Sequence, residues 1–139
     1  MLPSKIKRGL LFLLSILIAI GLNPLAVLLE RPIHPLLSQP FEFGTIAFTE
    51  EILKWGLSLA LYYFGAPATV PVAVGLGFGG WEMLSFVYNK DAFIISRLGA
   101  LSFHIFTGAV LWWVLKKKRP LWIGAALIIN ILLHWWWNL

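Results

Sequence analysis

The sequence predicts an all-α, polytopic membrane bundle of about five transmembrane helices with one interfacial loop or short surface helix. Three observations carry this. The 139 residues are 60% hydrophobic, 15% aromatic and only 12% charged, whereas a soluble domain carries about 25% charged and 45–50% apolar residues. Five stretches approach the roughly 20 apolar residues that a membrane-crossing helix needs. In lipid, backbone polar groups must be paired internally, which leaves helices or a closed barrel. Strict apolar–polar alternation is missing, so the stretches are helices.

The first stretch, residues 9–29, holds Asn23 and Pro24, where a kink is expected. Its basic start also suits a cleaved leader, but the apolar run is long and no small-x-small cleavage site follows. Residues 30–44 carry Pro32, Pro35 and Pro40 among apolar residues and read as an interfacial loop or a short surface helix. Further spans are expected at residues 45–64, 69–88, 94–115 and from 121 onward. The chain is thus one transmembrane domain, 1–139. Residues 1–44 form its N-terminal helix and loop, and 45–139 a four-helix core. No internal repeat or low-complexity segment is visible.

The net charge of +5 would suggest nucleic acid in a soluble protein. Here seven of the eleven cations sit in two clusters, Lys5/Lys7/Arg8 and Lys116/Lys117/Lys118/Arg119. Both flank apolar runs and read as topology signals, so no nucleic-acid partner is expected. They place the N-terminus in the cytoplasm, and after five spans the C-terminus outside. Trp112 and Trp113 then fall near the inner interface and Trp135, Trp136 and Trp137 near the outer one. The basic run at 116–119 is also suited to contact anionic lipid. Cysteine is absent, which excludes disulfides, thiolate metal sites and cysteine nucleophiles.

Several ionisable residues fall inside the expected spans: Glu50, Glu51, Lys54, Glu82, Arg97, His104 and His134. Each costs several kcal/mol to insert, so together they need a reason. Their depth supplies one. At about 1.5 Å rise per residue, all lie roughly 5–15 Å below the outer boundary. They come early in the two spans that enter from outside and late in the two that exit there. One polar layer requires that antisymmetry. Glu50 and Lys54 are i, i+4 neighbours, and Glu51 and Lys54 are i, i+3, so Lys54 can neutralise one glutamate. Phe78 shares a face with Glu82, and His134 with Asn138. Gly75 and Gly79 form a G-x-x-x-G step that lets another helix approach closely and brings Glu82 to its partners. A phosphate-binding role for these glycines fails, because no strand precedes them and no Lys-Ser/Thr follows.

Read in order, these residues are E-E-x-x-K (Glu50, Glu51, Lys54), G-x-G-F-x-x-x-E (Gly75, Gly77, Phe78, Glu82), Arg97, H-x-x-x-G (His104, Gly108) and H-x-x-x-N (His134, Asn138). The set resembles the PrsW family of membrane proteases, which is grouped with the CAAX-processing and bacteriocin-processing endopeptidases. The resemblance covers roughly residues 45–139. Met83 follows Glu82 where the family pattern often has an amide residue. The resemblance implies a glutamate-dependent, membrane-embedded peptidase of a prokaryotic plasma membrane. Its partners would be membrane lipid and a membrane protein or peptide cut near the extracytoplasmic face.

Peptide hydrolysis needs an activated water and a stabilised oxyanion. Glu50 or Glu51 is expected to activate the water, with Lys54 holding the other carboxylate ionised. His104 and Glu82 would orient the water or pass on its proton. His134 and Asn138 would donate to the oxyanion, a role suggested by the family's last motif. Lys54, Arg97 and Phe78 are supporting residues. The sequence requires no cofactor, since H-E-x-x-H is absent. Glu51, Glu82, His104 and His134 are nonetheless a donor set for zinc. Ser85 and Ser102 have no obvious His–Asp partner.

Plainer roles exist for each residue. The glutamates could pair with Lys54 and Arg97, Glu82 could accept a structural hydrogen bond, His104 could be a packing histidine, and His134 and Asn138 could anchor the interface. His34 reads as a loop residue and the terminal tryptophans as a belt. Two further functions suit such a polar layer: a non-catalytic scaffold binding a partner helix, and a proton- or cation-coupled carrier. The missing inverted repeat speaks against a carrier.

Overall fold

Helices dominate because the apolar runs leave the backbone nothing but itself to bond to. In chain order they are α1 (Ser4–Glu30), α2 (Gln39–Tyr63), α3 (Val70–Asn89), α4 (Ile94–Lys117) and α5 (Pro120–Asn138), with one 3-10 turn at His34–Leu36. The structure is a computed structural model that describes residues 4–32, 34–89 and 94–139, and the side chains of these except 30, 34, 86–89 and 94–97. No strand occurs among the described residues.

Among the described residues, three helices are long and apolar enough to cross a membrane: α1, α4 from Leu98, and α5. The distribution of polarity is that of a membrane bundle. Leu17, Ile128 and Trp136 are exposed by 65%, 60% and 71%, while Glu51 is exposed by 0% and Lys54 by 4%. A soluble fold places these classes the other way round.

One expectation needs correction. The segment at 30–44 is not loop throughout, because α2 already begins at Gln39. Pro40 sits in the first turn of α2, where its missing N–H costs nothing and its fixed φ suits a helix. Helix α1 runs through Pro24 to Glu30.

The turns explain how the helices reverse. After Tyr63, Gly65 adopts φ +88°, and Ala66 N–H donates to Leu61 O at 2.9 Å while Gly65 N–H donates to Tyr62 O at 3.0 Å. This paired pattern closes the end of α2. Between α4 and α5 only Lys118 and Arg119 intervene, and Lys118 takes φ +50°, the left-handed region.

Helix α3 packs between α1 and α4, and α2 packs against α1, α3 and α5. The expected glycine step is the means. A Cβ on Gly75 would collide with the His104 carbonyl, and one on Gly79 would lie 2.7 Å from Leu101 Cα. Backbone thus meets backbone between α3 and α4, as small residues allow in membranes. Two apolar clusters fill the remaining space, one around Val70, Val74 and Phe78 and one around Trp55, Leu111 and Val114.

Candidate active site

The expected polar layer exists as one cluster, buried except at Glu82, which is 21% exposed. Helix α2 supplies Glu50, Glu51 and Lys54 from one face, exposed by 6%, 0% and 4%. Helix α3 supplies Glu82, α4 supplies His104 and Thr107, and α5 supplies His134. The close α3–α4 approach brings Glu82 Oε1 to 3.2 Å from His104 Nε2.

Proton positions follow from what each partner can offer. The Lys54 ammonium ion-pairs with Glu51 Oε1, lies 2.7 Å from His104 Nδ1 and 3.4 Å from Thr107 Oγ1. An ammonium only donates. His104 Nδ1 is therefore the acceptor, so its proton sits on Nε2, which donates to Glu82. His134 is the mirror case. Its Nδ1 lies 2.9 Å from Glu51 Oε1, and a carboxylate only accepts. Nδ1 therefore carries the proton, and the Nε2 lone pair faces Glu50 Oε2 at 3.7 Å. The same Glu50 oxygen lies 4.0 Å from His104 Nε2.

The two glutamates, equivalent by spacing, are thus different by environment. Glu51 holds Lys54 and orients His134, and its Oε2 is buried without a hydrogen-bond partner. Glu50 faces the inner sides of both imidazoles. The Phe78 ring is fully buried and lies 5.9 Å from Lys54 Nζ. Phe103 covers the other side, 5.2 Å from the His134 ring and stacked on Trp137 at 5.7 Å.

Of the expected site residues, Glu50, Glu51, Lys54, Phe78, Glu82, His104 and His134 come together. Asn138 does not. It ends α5, partly exposed, and has no hydrogen bond to the other described residues. The side chain of Arg97 lies outside the described residues. Two participants went unnoticed in the sequence. Thr107 contacts Lys54, and Asn130 Nδ2 lies 3.4 Å from Thr107 O. Asn130 is four residues before His134, so the same i, i+4 logic that selected Asn138 finds it in the other direction. Trp135 is more than a belt residue, since its Nε1–H donates to Pro40 O at 2.7 Å and its ring packs on Gly44.

A metal would not use the expected donor set. The ligand atoms that converge, within 4.8 Å of one another, belong to Glu50, His104 and His134. The donor types suit zinc, but the tautomers conflict. Ligation through His104 Nε2 needs a proton on Nδ1 donated to an acceptor, and there the Lys54 ammonium stands.

No protein-family model, curated protein or solved structure matches the chain. The likeness to the PrsW family therefore rests on the motif residues and their order.

Proposed function

We propose that the protein is a membrane-embedded, glutamate-type endopeptidase that hydrolyses a peptide bond of a membrane-associated protein or peptide. The observation that carries this is the Glu50–His134 pair: a carboxylate oxygen and an imidazole nitrogen 3.7 Å apart, with His104 Nε2 4.0 Å from the same carboxylate oxygen. Two acceptors at that separation suit a water that donates to both. A base oriented by a third group is the recurring logic of activated nucleophiles, and here Glu51 orients His134.

In the proposed reaction the water oxygen attacks the peptide carbonyl carbon, and its proton passes to Glu50. The carbonyl π electrons move to oxygen, which His104 would stabilise by turning its single Nε2–H from Glu82 to the oxyanion. Collapse breaks the C–N bond, and the proton held by Glu50 leaves with the amine. Glu51 and Lys54 remain a fixed ion pair throughout. His134, whose Nδ1 is committed to Glu51, holds the water through Nε2 rather than donating to the oxyanion. The N-terminus is assigned to the cytoplasm by Lys5, Lys7 and Arg8. This puts the cluster in the outer half of a prokaryotic plasma membrane, with cleavage near the extracytoplasmic face.

The test compares peptide termini in membranes from cells expressing wild-type protein or the Glu50→Gln/Glu51→Gln pair, at equal insertion. New termini that need the glutamates establish proteolysis. Identical termini across several hosts refute it and favour a scaffold. Uptake or efflux that follows a pH gradient would favour a carrier. Proteolysis should also survive a strong zinc chelator. Loss on chelation and return with zinc would favour a Glu50–His104–His134 metal centre.

A further inference from the structure

Between the α4–α5 turn and the level of His104 and His134, α4 and α5 part to leave an apolar groove of about 240 Å³. Phe106, Val110, Ala125, Ile129, Asn130 and Leu133 line it. Asn130 turns its Nδ2 away to Thr107 O, so the groove offers a ligand mainly hydrocarbon. A second recess of about 280 Å³ adjoins it at the α4–α5 turn, lined by Trp113, Lys117, Arg119 and Trp122. Trp113 and Trp122 border both and meet edge to face at 6.2 Å. Lys117 Nζ rides 5.5 Å from the Trp113 ring centroid, which holds the ammonium at the mouth. No carboxylate ion-pairs with Lys117 or Arg119 among the described residues.

We infer that this slot binds one anionic phospholipid, its phosphate between Lys117 and Arg119 and one acyl chain in the groove between α4 and α5. Each half of the slot selects for this. Two unpaired cations at an interfacial turn call for an anion, and the guanidinium fork suits a phosphate. A hydrocarbon-lined groove running inward from them calls for an attached apolar chain. A bound chain would wedge against the face of α5 one turn from His134, so the lipid would set how firmly α5 sits on α4.

The experiment is native mass spectrometry of the full chain in neutral detergent, titrated with dioleoylphosphatidylglycerol, dioleoylphosphatidylcholine or glycerol phosphate. The phosphatidylglycerol should bind at least tenfold tighter than the phosphatidylcholine. At roughly 1 kcal/mol per interfacial cation, Lys117→Gln/Arg119→Gln should weaken it about 25-fold, with Lys117→Arg/Arg119→Lys retaining it. Ala125→Phe fills the groove, leaves both cations and should weaken binding at least tenfold. It decides the matter if the neutralised protein fails to insert. Equal binding of the two lipids, unchanged affinity in Ala125→Phe, or glycerol phosphate binding as tightly as the lipid would each overturn the inference.

Discussion

Replacing Lys54 with methionine is the sharpest perturbation of the cluster. Methionine keeps most of the lysine stem, so little cavity opens. What goes is one charge and three contacts: Glu51, His104 Nδ1 at 2.7 Å and Thr107 Oγ1 at 3.4 Å. Glu51, 0% exposed, keeps only the His134 Nδ1–H at 2.9 Å. Removing one partner of a buried pair costs about 3–5 kcal/mol, because the other charge is stranded. The double variant Lys54→Met/Glu51→Gln removes the stranded charge and keeps a carbonyl to accept from His134. It should therefore recover about 2–3 kcal/mol of the loss. The assay is reversible unfolding in bicelles or mixed detergent micelles, followed by helical circular dichroism, for wild type, both singles and the double. A loss below about 1 kcal/mol in Lys54→Met, or additive losses in the double, would refute the placement of charge argued here.

Other predictions reach different parts of the molecule. Gly75→Ala should cost about 1–3 kcal/mol, as overpacking does, and should lower proteolysis by displacing His104 from Glu82; equal unfolding midpoints would contradict the backbone contact. Lys118→Gly should stabilise by about 0.5–1 kcal/mol, since glycine adopts positive φ without steric cost; destabilisation in the same unfolding assay would show that another feature governs this turn. Asn138→Ala should change cleavage by less than about threefold, whereas Glu50→Gln should lower it by about 10²–10⁴, the usual range for a lost general base. Comparable losses in a cleavage time course would return Asn138 to the site.

The bundle and its polar layer were legible in the sequence because the cost of charge in lipid makes each intramembrane ionisable group conspicuous. Depth counting then placed Glu50, Glu51, Glu82, His104 and His134 at one level. Helical spacing alone could not separate Glu50 from Glu51, since both lie within one turn of Lys54. Their difference arises from α5, which presents His134 Nδ1 to one carboxylate and Nε2 to the other. The same limit explains Asn138. A face extends both ways from His134, and only packing shows that the inward direction, toward Asn130, is the one covered. The early start of α2 was obscured by its prolines, which read as breakers until Pro40 is seen in a first turn.

Helix α5 gives the cluster one ionisable group, His134, yet that group completes it. α5 is joined to α4 by a two-residue reversal and fastened at its far end by the Trp135–Pro40 hydrogen bond. It is also the last of the five helices to leave the ribosome. A nascent chain with four helices inserted holds Glu50, Glu51 and Lys54 without the imidazole that Glu51 orients, and with one polar flank of α2 uncovered. Docking of α5 removes both deficits in one step. Biosynthesis therefore carries its own safeguard: on the proposed chemistry, a water-activating pair is assembled only when the bundle closes over it.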